Sequence, residues 1–217
     1  MDAHANDFGL VGGNRAFSLK VTSFKEKRFE AVVPQEYDFS CGSAALATLL
    51  KFHYNYEVTE QEVLDSMFKV GDQEKIKKQG FSLLDMKQYL ATLKMNADGF
   101  KLDSLEKIKK AGVPGIVLIN SNGYMHFVVI KGVSDKFVLI GDPALGIRKV
   151  PHNKFIKMWN NVFFVIRNKS DSARLSFSQD DSWTDQRKSL FNMALSNSTL
   201  SSFSVHTAIT PNIYQGF

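Results

Sequence analysis

The hydrophobic period of this chain changes at Pro114. Ahead of it, apolar residues recur at the spacing of amphipathic helices; beyond it, short β-branched runs are separated by Gly, Asn, Asp and Pro. From Cys41 to about Tyr54, the residues Ala44, Ala45, Thr48, Leu49 and Phe52 recur at helical spacing, and Ser40 stands in the N-cap position. Thr59 and Glu62 form a capping box that opens a second helix to about Val70. Ser82 to Asp85 opens a third, to about Leu93, and Ser104 opens a short fourth that ends before Gly112. The later runs, Ile116–Ile119, His126–Val133, Phe137–Ile140, Arg148–Val150 and Val162–Ile166, predict an antiparallel sheet. Helices followed by strands give an α+β fold, a helical N-terminal half packed face to face on a C-terminal sheet. The N-terminus of the first helix can then meet one edge of that sheet.

At 217 residues the chain can bury one substantial core. Residues 28–167 read as that domain, residues 1–27 as an N-terminal arm, and residues 168–217 as a polar extension. Arg28–Val33 alternates towards a short strand that Pro34 ends, and Trp183, Leu190, Phe191 and Ala194 predict one helix after Ser182. With 44% hydrophobic and 23% charged residues, the balance is that of a soluble globular protein. The apolar stretch Phe127–Val133 is broken by Lys131 and Gly132, far short of the ~18 residues a membrane span needs, so an integral membrane protein is not expected. The net charge of +5 is spread along the helical segments, which argues against nucleic acid as a partner.

Cys41 is the only cysteine, so an internal disulfide and a cysteine-based zinc site are both excluded. It opens a predicted helix, where free amides and the helix dipole favour a negative charge and a thiol loses its proton more readily. Gly42 beside it would leave room for an approaching substrate backbone. A buried structural cysteine is the plain alternative. If Val133, Ser134 and Asp135 connect two strands, His126 falls directly opposite Asp142, within reach of an imidazole-to-carboxylate hydrogen bond. The carboxylate would fix the tautomer and leave the second ring nitrogen for the sulfur. Taken singly, His126 also fits a strand-end histidine and Asp142 a turn former before Pro143. Gln35, six residues before Cys41, carries an amide that could join the Cys41 backbone N–H in an oxyanion hole. His4, His53, His152 and His206 lack such context; with no ligand-like spacing, no metal and no cofactor are expected.

The segments Val33-Pro34-Gln35, Asp38-Phe39-Ser40-Cys41-Gly42-Ser43-Ala44-Ala45, Gly123-Tyr124-Met125-His126-Phe127-Val128-Val129 and Gly141-Asp142-Pro143-Ala144 resemble the C39 family of bacterial cysteine peptidases over about Glu30 to Arg167. The resemblance implies a papain-like fold, with Cys41 as nucleophile, His126 as base, Asp142 as orienting acid and Gln35 in the oxyanion hole. It also implies a peptide or protein precursor as substrate, cut after a double-glycine-like site as in the family, and components of export machinery as partners. No membrane domain follows Arg167, so the chain is similar to stand-alone members that accompany peptide or functional-amyloid export. The expected location is the periplasm if a signal peptide was removed, and the cytoplasm otherwise; none is visible in Met1–Asn14. Leu10-Val11-Gly12-Gly13 itself resembles a double-glycine cleavage site, although a turn-forming glycine pair explains it more simply. Two other functions fit the same residues: an acyl transferase of the transglutaminase kind, in which an added amine captures the acyl group, and a precursor-binding accessory that does not cut.

Overall fold

A computed structural model describes residues 7–11, 16–20 and 24–177. The hairpin of β1 (Asp7–Val11) and β2 (Ala16–Lys20) comes first, and Gly12 and Gly13 lie outside the described residues. The expected strand over Arg28–Val33 is not formed: α1 (Phe24–Phe29) and a turn occupy that stretch, with the Val32 amide bonded back to the Phe29 carbonyl. Five helices follow the pattern of apolar faces and caps: α2 (Cys41–His53), α3 (Glu60–Val70), α4 (Gln73–Gln79), α5 (Leu83–Thr92) and α6 (Leu105–Ala111). Both reciprocal caps are present, Thr59 with Glu62 and Ser82 with Asp85. The Ser40 hydroxyl does not cap α2; it binds the backbone N–H and carbonyl of Tyr37 instead. Asp72 caps α4, which the sequence analysis missed.

The main sheet has the order β3-β8-β4-β5-β6-β7 and its pairings are antiparallel. Its strands are β3 (Ala97–Lys101), β4 (Gly115–Ser121), β5 (Tyr124–Val133), β6 (Phe137–Asp142), β7 (Gly146–Pro151) and β8 (Trp159–Ile166). Phe127 and Val129 of β5 pack with α2 and α5 in one core, whereas Val128 and Ile130 join Leu105, Ile108 and Phe155 in a second core on the other face. The second core is closed by α6 and by α7 (His152–Met158), a layer absent from the two-layer expectation. Beyond Arg167, α8 (Ser170–Ser176) contributes Ala173 to the first core, and Phe177 reaches the second. The helix expected after Ser182 falls outside the described residues. Among the described residues no helix is long and apolar enough to cross a membrane.

The register between β5 and β6 differs from the expected one. Val133 pairs with Val138 and Gly132 with Leu139; after a bulge, Ile130 pairs with Ile140 and Val129 with Gly141. Lys131 is the additional residue. An inserted residue reverses which face every later side chain occupies. It is buried, and its amine donates to the Ala31 carbonyl at 3.1 Å and to Nε2 of His53 at 2.8 Å. His53 Nδ1 sits 2.6 Å from the Ser176 hydroxyl, which in turn donates to the Ala173 carbonyl. Because Nε2 accepts from the lysine, the imidazole proton belongs on Nδ1. The buried bulge is thus tied to the end of α2 and to α8.

Burial pushes the Lys131 amine down to about 7. Burial, with the Lys131 charge adding, pushes His53 down to about 2. With its folded value below the ordinary 10.5, Lys131 binds fewer protons in the folded than in the unfolded chain between pH 7 and 10.5, so its contribution to stability rises across that window. Urea unfolding of wild type and Lys131→Met at pH 7 and pH 10 should show the wild type gaining on the variant as pH rises. A pH-independent difference would mean that the folded amine keeps its ordinary proton affinity.

Candidate active site

Three connections join one end of the sheet to the segment before α2. The Gln35 backbone N–H donates to the Pro143 carbonyl at 3.0 Å, the Tyr124 hydroxyl donates to the Asp38 carbonyl at 2.7 Å, and Gly146 packs against Arg28. Gly146 has φ +79°, and a Cβ there would lie 2.5 Å from the Arg28 carbonyl oxygen, so the β6–β7 turn requires glycine at this position. These links bring the start of β5 and the end of β6 to the first turn of α2, where Cys41 sits at 8% exposure. Amides in the first turn of a helix have no intrahelical acceptor. Ser40 leaves them uncapped because its hydroxyl is committed to Tyr37.

His126 and Asp142 are not directly opposite. Extending the Val129–Gly141 register by one residue places Val128 opposite Asp142, so His126 is a diagonal neighbour on the same face. The bulge at Lys131 is responsible. Without it Val129 would lie opposite Asp142 and His126 would occupy the reverse face. His126 Nε2 lies 2.8 Å from Asp142 Oδ1, the pair being 5% and 2% exposed as residues. The same oxygen accepts the amides of Ala144 at 3.0 Å and Leu145 at 3.1 Å, and Oδ2 accepts from Arg148 Nη1 at 3.0 Å.

Among the described residues, the second imidazole nitrogen, Nδ1, is buried without a hydrogen-bond partner. Cys41 lies close enough to raise the proton affinity of the ring, although its sulfur forms no hydrogen bond with Nδ1. Burial drives His126 down, but the hydrogen bond it makes to Asp142, the proximity of the Cys41 thiol and the charges of both together outweigh burial and raise the ring to about 9. For Asp142, burial pushes up, while the His126 hydrogen bond and charge, the Ala144 amide and Arg148 bring it below its ordinary value. Tyr124, whose ring is 6.0 Å from that of His126, is raised by burial and then by the nearby Cys41 and Asp38. The result is a thiol, an imidazole with an open nitrogen, and a carboxylate fixed on the far nitrogen, the parts of a nucleophile and general-base pair.

One expectation about a neighbouring residue needs correction. Gly42 faces inward: a Cβ there would lie 3.0 Å from Phe81 Cβ and 3.1 Å from Met86 Cε, so the glycine serves helix packing rather than substrate approach. The side-chain amide of Gln35 turns to the carbonyl of Tyr37, at 3.0 Å, and its oxygen is buried without a partner among the described residues. Gln35 is therefore in the loop leading to Cys41, with one of its two N–H groups engaged. His53 lies in the core, the Nε2 of His152 is buried without a partner among the described residues, and His4 and His206 are outside them. Arg148 was missed from the sequence. Its signal was its place six residues beyond Asp142, across a tight hairpin on the adjacent strand.

A model of the peptidase C39 family matches residues 30–171. The chain is 41% identical over 159 residues to the probable functional amyloid protease FapD of Pseudomonas aeruginosa, covering 72% of this chain and 69% of that protein. Among solved structures, a double glycine motif protease from an AMS/PCAT transporter, in complex with the leader peptide, aligns with TM-score 0.52 at 30% identity, over 62% of this chain and 88% of that one. The peptidase domain of Streptococcus ComA, a bi-functional ABC transporter involved in quorum sensing, aligns with TM-score 0.53 at 22% identity, over 63% and 96% of the two chains. At that identity the ComA likeness concerns fold alone. The expected α+β, papain-like architecture is the one observed.

Replacing Asp142 with Asn removes the charge and the strong acceptor that hold the His126 proton, while burial remains. The imidazole titration, followed by NMR of labelled histidine, should fall from about 9 by at least ~1 unit. The sign extends to stability. The raised His126 value makes its contribution complete below pH 6.5 and lost as pH rises through about 9, so the variant should lose more stability at pH 6 than at pH 10.

Proposed function

The chain belongs to the peptidase C39 family, and on that premise we propose that Cys41, His126, Asp142 and Gln35 cleave a secreted peptide or protein precursor within an export or functional-amyloid system. The observation that carries the reading is the 2.8 Å bond between His126 Nε2 and Asp142, which leaves Nδ1 open on the side of Cys41. The FapD relative is a probable functional amyloid protease, and the double glycine motif protease is bound to a leader peptide; both support a precursor as substrate here.

In the proposed reaction the Cys41 thiol passes its proton to His126 Nδ1 and the sulfur attacks the scissile carbonyl. The carbonyl oxygen becomes negative and is met by the Cys41 amide and the Gln35 side chain, after that amide turns from Tyr37. Collapse breaks the C–N bond as His126 returns the proton to the leaving amine. Water, deprotonated by His126, then attacks the thioester, releases the acid and restores the thiol. Asp142 keeps the ring oriented and stabilises it when charged, itself remaining an ionised carboxylate throughout.

Incubation with precursors encoded beside this chain, followed by mass spectrometric mapping of new termini, tests the reading. Wild type should generate one new pair of termini, with water as the acyl acceptor even when a primary amine is added. Cys41→Ala should lower the rate by at least ~1,000-fold without changing the fold. Undiminished cleavage by the Cys41→Ala protein would exclude Cys41 as nucleophile, and amine capture would point to acyl transfer.

A further inference from the structure

Asp142 has two oxygens, and they are occupied unequally. Oδ1 accepts from His126, Ala144 and Leu145, whereas among the described residues Oδ2 accepts only from Nη1 of Arg148, at 3.0 Å. The carboxylate is 2% exposed, so loss of that donor would leave a buried anionic oxygen without a partner. The register supplies the arginine. Asp142 pairs with Gly146 and Ile140 with Arg148, so Arg148 lies diagonally beside Asp142 on β7, as His126 does on β5. The arginine side chain is 30% exposed, partly withdrawn from water at its contact with the acid.

We propose that Arg148 is a positioning residue for the peptidase site: it locks the Asp142 carboxylate with Oδ1 on His126 and places a fixed cation behind the acid–imidazole pair. This inference rests on the peptidase reading for its effect on rate. Rotation of the carboxylate would break the His126 contact and the Arg148 contact together. A permanent cation also opposes a second positive charge on the ring, so Arg148 moderates how tightly Asp142 holds the imidazole proton. The groups facing His126 are Cys41 from α2, Asp142 from β6 and Tyr124 from β5 itself, with Arg148 acting through Asp142. Arg28 meets the same turn at Gly146 through its backbone and Cβ. Lysine could keep the charge but not the planar fork that fixes the carboxylate.

The test compares wild type, Arg148→Gln and Arg148→Lys by NMR titration of His126 and by the pH profile of kcat/KM on a fluorogenic peptide amide ending in Gly-Gly, with thermal melting to establish folding. Arg148→Gln should move the His126 titration and the alkaline limb upward by roughly half a unit to one unit and lower the rate about tenfold. Arg148→Lys should restore the titration while recovering only part of the rate. A lower rate or melting temperature in Arg148→Gln with His126 unmoved would make Arg148 merely structural and overturn the proposal, as would an equal shift in both variants. If the glutamine variant does not fold, a wild-type rate in Arg148→Lys refutes the positioning role. The titration needs no turnover, so a shifted His126 in a wild-type protein that cleaves nothing counts for Arg148 and against the peptidase reading.

Discussion

A single buried carboxylate, that of Asp142, gathers the site. It takes a ring nitrogen from β5, a guanidinium from β7 and two amides from its own turn, and the two cross-strand contacts depend on the sheet register. The decisive residue for the β5 contact is Lys131, because one extra residue in the strand chooses the face on which His126 lies. Burying a carboxylate and an imidazole is costly unless each is satisfied. Here the opposite charges and hydrogen bonds outweigh burial, keeping the acid ionised and the ring a strong proton acceptor.

The other half of the site comes from α2. Its first turn is placed by apolar packing along its length, Leu46, Leu49 and Leu50 being fully buried in the first core. The same helix ends at His53, where the chain Lys131–His53–Ser176 binds the bulge. One rigid element therefore carries the thiol at its start and braces the strand irregularity at its end. Burial lowers the proton affinity of both Lys131 and His53, and the Lys131 charge lowers that of His53 further, the reverse of the Asp142–His126 pair. Those opposed environments separate a structural basic cluster from the chemically open ring.

The helices and the main sheet could be read from the sequence wherever caps and periodicity agree, as at Thr59 and Glu62 or across the β-branched run after His126. The four family-motif residues could be named too, although the His126–Asp142 pairing was right through a register that was not. Lys131 looks like an ordinary polar break in an apolar run, and only pairing across the sheet distinguishes it as a bulge. β3 was missed because Ala97-Asp98-Gly99-Phe100-Lys101 has poor strand composition and is a strand by virtue of pairing with β8. Alternation over Arg28–Val33 was too short to separate strand from the end of α1. Gly42 was given a functional reason because its inward packing partners, Phe81 and Met86, are far along the chain.

The central claim is that His126, oriented by Asp142, activates Cys41. Its most direct test is the rate of Cys41 alkylation by limiting iodoacetamide at pH 6.5, read by intact mass, in folded wild type, His126→Ala and Asp142→Asn. The wild-type sulfur should react at least ~10-fold faster than in His126→Ala, with Asp142→Asn between them. Equal rates in all three proteins would contradict the account.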